Sequence, residues 1–85
     1  MDKICTLTLS YEDMAMLLKA ISRAGEIKKS LAKDFEAIAW RSGMPSARQA
    51  AEDMAAAYRR DAACFRTLAN RVRRALEGKE THMNR

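Results

Sequence analysis

Ala47 to Glu77, ARQAAEDMAAAYRRDAACFRTLANRVRRALE, decides the fold. Apolar side chains recur at Ala51, Met54, Tyr58, Ala62, Phe65, Ala69, Val72 and Leu76, in steps of three and four residues. That is the period of one face of an α-helix. Neither proline nor glycine interrupts the run. Beside the stripe stands a second row, Arg48, Arg59, Arg66 and Arg73, its last three members seven residues apart. At about 100° per residue these four guanidinium groups fall within about 40° of one another on the helix. The stripe predicts what the helix packs on, and the arginine row predicts what packs on it.

Upstream of this helix lies one clear break, Ser42-Gly43-Met44-Pro45. Gly43 suits the left-handed residue that follows a helix end, and Pro45 suits a sharp stop. Ser46-Ala47-Arg48-Gln49 then reads as a capping box that starts the second helix at residue 47. Gly78 marks its end after Glu77, and residues 79–85 are expected to form a polar, disordered tail.

A second periodic run precedes the break. Met14, Leu17, Ile21, Ala24, Leu31, Phe35 and Ile38 follow helical spacing, with Lys28 the one interruption and Leu18, Ile27, Ala32 and Ala39 widening the stripe. Ser10-Tyr11-Glu12-Asp13 is a capping signature, a hydroxyl with a carboxylate three residues on. The register stays in phase across Gly25, so residues 11–41 read as one helix. Gly25 nonetheless leaves a kink open, since glycine costs about 1 kcal/mol against alanine in a helix interior. Helices 11–41 and 47–77 are each about 45 Å long at about 1.5 Å per residue, and so short a turn makes them antiparallel. The first nine residues alternate, with Cys5, Leu7 and Leu9 opposite Thr6 and Thr8, and predict a strand over residues 3–9. The expected fold is all-α, a single domain of residues 1–85: a long antiparallel helical hairpin with a short N-terminal strand.

The second helix carries a further small apolar row, Ala50, Ala57, Cys64, Leu68 and Ala75. One partner helix does not cover both rows. A lone strand also lacks a ladder within a hairpin, and an isolated edge is sticky. Pairing Cys5, Leu7 and Leu9 with a symmetry mate satisfies both copies, so the expectation is a homodimer in a four-helix arrangement. The plainer alternative lays the first nine residues as coil on the hairpin.

Sixteen Lys and Arg against eleven Asp and Glu give a net charge of +5, which favours acidic partners, protein or nucleic acid. No apolar run approaches the roughly 18 residues that cross a bilayer, and neither a membrane partner nor a signal peptide is expected. The chain is therefore expected in the cytosol, with Cys5 and Cys64 as free, buried thiols. His82 stands in the polar tail and the carboxylates are scattered, so neither a metal, a cofactor nor an enzyme site is expected.

Three groups are candidates for function. The arginine row Arg48, Arg59, Arg66 and Arg73 suits phosphate contact; equally, such arginines flank a core and pair with Glu26, Asp34 or Glu36 of the first helix. Trp40, Tyr11, Lys29 and Lys33 project from the outer face of the first helix, where a tryptophan among lysines anchors a protein partner or stacks on a base; alternatively, Trp40 closes the core near the turn. Residues 35–54 imitate a helix-turn-helix, with Ser46, Arg48 and Gln49 at the start of a reading helix, although that helix is far too long for the motif. Lys28 either snorkels or pairs with Asp61. The leading expectation is an adaptor, inhibitor or small regulator that binds another macromolecule, most readily an acidic protein, through exposed helix faces. The alternative is a nucleic-acid-binding protein using the arginine row or the degenerate helix-turn-helix.

Overall fold

The computed structural model describes residues 8–83, with side chains through Gly78. Two helices, α1 (Tyr11–Arg41) and α2 (Pro45–Met83), form an antiparallel hairpin. The expected strand at 3–9 lies mostly outside the described residues; Thr8 and Leu9 belong to no helix or strand.

Local chemistry sets the ends of α1. Ser10 is the N-cap, its Oγ accepting from the Asp13 backbone N–H at 3.1 Å, which satisfies one donor that a helix start leaves orphaned. Glu12 and Asp13 set negative charge against the positive end of the dipole. The helix passes Gly25 without interruption and ends where the Ser42 N–H donates back to the Ile38 and Ala39 carbonyls.

The turn departs from expectation. No glycine adopts a positive φ, so Gly43 is not a left-handed stop. α2 begins at Pro45 rather than Ala47, with the Arg48 N–H bonded to the Met44 carbonyl at 2.9 Å. Pro45 therefore opens a helix, where its missing N–H costs nothing and its fixed φ is helical. The Ser46 capping box does not form, since Ser46 is already inside the first turn; the Gln49 amide donates to Asp53 instead, at 2.8 Å. α2 also runs past Gly78 to Met83.

The seam between the helices is a strict heptad on each. On α1 it is Met14, Leu18, Ile21, Gly25, Lys28, Ala32, Phe35 and Ala39; on α2 it is Ala51, Ala55, Tyr58, Ala62, Phe65, Ala69, Val72 and Leu76, all buried or half-buried. Sequence periodicity located the α2 stripe except that Ala55 replaces Met54, which stays exposed. On α1 the expected stripe is offset by one residue at every second step: Leu18, Gly25, Ala32 and Ala39 face α2, whereas Leu17 and Ile38 are exposed. The reason is steric. A Cβ on Gly25 would sit 3.4 Å from the Phe65 Cβ, a backbone approach that larger side chains in this row would prevent.

Packing is uneven along the seam. Ile21, Ala69, Val72 and Leu76 form the one cluster of buried residues at the open end, with Met14, Leu18 and Phe65 against it. Mid-hairpin, Phe35 stacks on Tyr58 with centroids 5.5 Å apart, and Lys28 Nζ lies 5.1 Å over the Tyr58 ring. Toward the turn the buried positions are all alanine: Ala32, Ala39, Ala51 and Ala55. No helix among the described residues is long and apolar enough to cross a membrane.

A basic groove with a tryptophan at its end

In an antiparallel heptad pair, the residues just after the second seam position of each heptad meet across one side of the hairpin. On α1 these are Ser22, Lys29 and Glu36, and on α2 Arg59, Arg66 and Arg73. They wall a groove of about 580 Å³ whose apolar lining is mostly small, Gly25, Ala32, Ala62, Ala63 and Ala69, with Ile21 and Phe65 as its two large members. Lys33 and Glu26 complete the α1 wall and Asn70 the α2 wall.

Register decides the electrostatics. Glu36 and Arg59 form an ion pair across the groove. One heptad further from the turn, Lys29 on α1 stands level with Arg66 on α2, a like-charge juxtaposition. Another heptad on, Arg73 is level with Ser22 and donates to Asn70 Oδ1 at 2.8 Å. Among the described residues, Lys29, Lys33 and Arg66 enter no ion pair. The groove thus holds five cations, Lys29, Lys33, Arg59, Arg66 and Arg73, against the carboxylates Glu26 and Glu36.

Toward the turn the same side continues into a shallower pocket lined by Glu36, Ala39, Trp40, Arg48 and Glu52. Trp40 follows Lys33 by seven residues, so it extends the α1 wall. It is 87% exposed, and therefore does not close the core near the turn. Arg48 is fixed at the corner by donating to the Ser42 carbonyl at 3.1 Å.

No family model matches this sequence, and no curated protein or solved structure matches it.

The structure brings the two candidate sets together in an unforeseen way. Lys29, Lys33 and Trp40 are all exposed; Lys29 and Lys33 line the groove with Arg59, Arg66 and Arg73, and Trp40 lines the adjoining pocket with Arg48. Tyr11 lies apart, at the opposite end of α1. The ion pair of Arg59 with Glu36 is one of the core-flanking pairs the sequence allowed. Lys28 pairs with Asp61 at 3.5 Å, both partly exposed. The small row of α2 is left uncovered by α1: Ala50, Cys64, Leu68 and Ala75 are exposed and Ala57 half-buried. Cys64 is a free, exposed thiol rather than the buried one expected, because it lies well round the helix from the seam; Cys5 is outside the described residues. Helices lying side by side also lack the crossing of a helix-turn-helix, about 90–120°, so Ser46, Arg48 and Gln49 do not head a separate reading helix.

What the sequence missed was the groove itself. Its signal was present in the heptad spacing of Lys33 with Trp40 and of Ser22, Lys29 and Glu36, but those rows become one site only when the register of α1 against α2 is known.

Proposed function

We propose that this chain is a small homodimeric interaction protein, an adaptor, inhibitor or regulator, that binds an acidic protein segment in the groove between its helices. One observation carries the reading: unpaired cations line a groove whose apolar lining is mostly glycine and alanine, with Ile21 and Phe65, and an exposed tryptophan lines the pocket that adjoins it. The mostly small lining admits a third helix at close range, as helix-in-groove recognition requires. Lys29 and Arg66 repel in the free molecule, and a carboxylate between them turns that repulsion into two charge-assisted contacts. Trp and Arg are the residues that dominate binding hot spots. The N-terminal strand belongs to the same reading, as a segment that pairs with its copy in the dimer.

Nucleic acid is the second reading, favoured by arginine spacing of two helical turns. Two carboxylates inside the groove and the internal engagement of Arg59 and Arg73 weigh against it, because a phosphate track needs cations free to replace counterions.

Trp40 is the only tryptophan, so its fluorescence reports occupancy directly. A helical peptide with an Ala/Leu stripe flanked by glutamates should shift the Trp40 emission to the blue and bind at micromolar concentration, and Trp40→Ala should weaken binding at least tenfold, as loss of a hot-spot residue does. A labelled DNA or RNA duplex should bind only at low salt. Tight duplex binding near physiological salt, abolished when Arg59, Arg66 and Arg73 are changed to Gln, with no peptide binding, would replace this reading by the nucleic-acid one.

A further inference from the structure

The side of the hairpin opposite the groove has the contrary chemistry. Leu17, Ile27 and Ile38 of α1 and Met54 and Leu68 of α2 are 39–54% exposed there. They surround the charged pair of Lys28 with Asp61 near mid-hairpin, with Asp34 and Arg71 at the edge of the face in the rows of Ile27 and Cys64. Asp61 sits in the same row as Met54 and Leu68, seven residues from each. We propose that this face binds a second copy of the chain, closing a four-helix bundle in which the Lys28–Asp61 pair becomes the enclosed polar contact that sets register.

Area argues for a partner. The chain exposes 7247 Å², whereas a compact monomer of this mass exposes about 5,100 Å². The excess of about 2,100 Å² per chain exceeds the roughly 800 Å² that each side of a standard interface buries, and falls within the range of obligate dimers. The radius of gyration, 17.9 Å, tells the same story against about 12 Å for a compact chain of this length.

Three observations select a second copy as the occupant. Among the described residues no large side chain is fully buried, and even Ile21, Val72 and Leu76 keep 7–8% of their surface exposed, so the covering surface has to be at hand whenever the chain folds, which its own copy always is. The face is also self-complementary in charge: a two-fold axis along the hairpin sets the mixed-sign pair of each copy at the same level. The groove sides, each carrying excess cations, would repel if opposed, so association through the apolar faces leaves both grooves outward. A polar contact at the centre of a largely apolar seam is a known means of fixing register and oligomer number.

The inference rests on the homodimer proposed for the molecule, and the test separates the two. In a Cys5→Ser background Cys64, on this face, is the only thiol. Sedimentation should show a dimer at tens of micromolar, and alkylation of Cys64 by iodoacetamide should slow at least tenfold as dilute monomer is concentrated into dimer. Leu68→Glu should raise the dimer Kd at least a hundredfold, while Met16→Glu, on the outer surface of α1, should leave it unchanged. Replacing Lys28 and Asp61 together by Leu should convert the single dimer into a mixture of oligomers. A dimer whose Cys64 alkylates as fast as in the monomer would keep the homodimer and overturn this face. A monomer at that concentration would overturn both, and a double variant that stays a uniform dimer would remove the register role.

Discussion

Lys29 illustrates how one side chain can be placed against stability. It stands level with Arg66 one heptad from the Glu36–Arg59 pair, and the ordinary solution at such positions is opposite charge. Lys29→Glu should therefore raise the stability of the free protein by about 0.3–1 kcal/mol, the worth of an exposed pair, while abolishing binding of the acidic peptide. Thermal melts and peptide titration of the same variant check both halves; stabilisation together with undiminished binding would show that the groove is not the site. Gly25 makes the converse case. Its Cβ position is 3.4 Å from the Phe65 Cβ, the near limit of ordinary contact, and Phe65 is only half-buried and able to give. Gly25→Ala should stabilise by about 0.5 kcal/mol, most of the helix-propensity gain surviving. Gly25→Leu should destabilise by about 1–3 kcal/mol, because the added atoms wedge the helices apart. Denaturant midpoints of the two variants, moving in opposite directions, are the measurement.

The two helices divide their work along their length. At the open end, Ile21, Val72 and Leu76 supply the large buried side chains; toward the turn the seam is alanine, which sacrifices buried volume for close approach. That half leans on its ends and on local hydrogen bonds, such as Arg48 to Ser42 and Gln49 to Asp53. The open end of α1 depends in turn on its cap. Ser10→Ala removes the acceptor for the Asp13 N–H and should cost about 1 kcal/mol. The loss should show as faster amide exchange in the first turn of α1 and little change beside the turn. Uniform acceleration along both helices would mean that the hairpin opens only as a whole.

For the whole molecule, elongation is the dominant fact. Extents of 61 × 29 × 16 Å describe a slab two helices wide, with a basic face and an apolar face. A slab of this kind keeps neither face satisfied alone, and each chemistry points to a different partner. If the apolar face is covered by a second copy, folding and association are one equilibrium, and stability depends on concentration. Each tenfold dilution should remove about 1.4 kcal/mol per mole of dimer, so Tm should fall by several degrees between 100 and 1 micromolar. A Tm that does not move over that range would mean that the hairpin stands alone.

The sequence by itself determined the two helices and their order. Capping at Ser10 and the 3.6-residue period fixed α1 at Tyr11–Arg41, and the unbroken apolar run made α2 a single helix, because these are local properties written within a few residues of one another. Which face of α1 meets α2 was not local. Leu17, Ala24, Leu31 and Ile38 form one row and Leu18, Gly25, Ala32 and Ala39 the adjacent one, and both combine equally well with Met14, Ile21, Lys28 and Phe35 into a helical stripe. Hydropathy favours the first row, since it is larger and more apolar. Close packing against the alanines of α2 favours the second, since only small side chains let the backbones approach. That choice turned Lys29, Lys33 and Trp40 onto the same side as the arginine row, and on the other side left Leu17 and Ile38 of the larger row exposed and Ala24 and Leu31 half-buried. The groove and the apolar face are therefore consequences of inter-helix register, which only the tertiary structure decides.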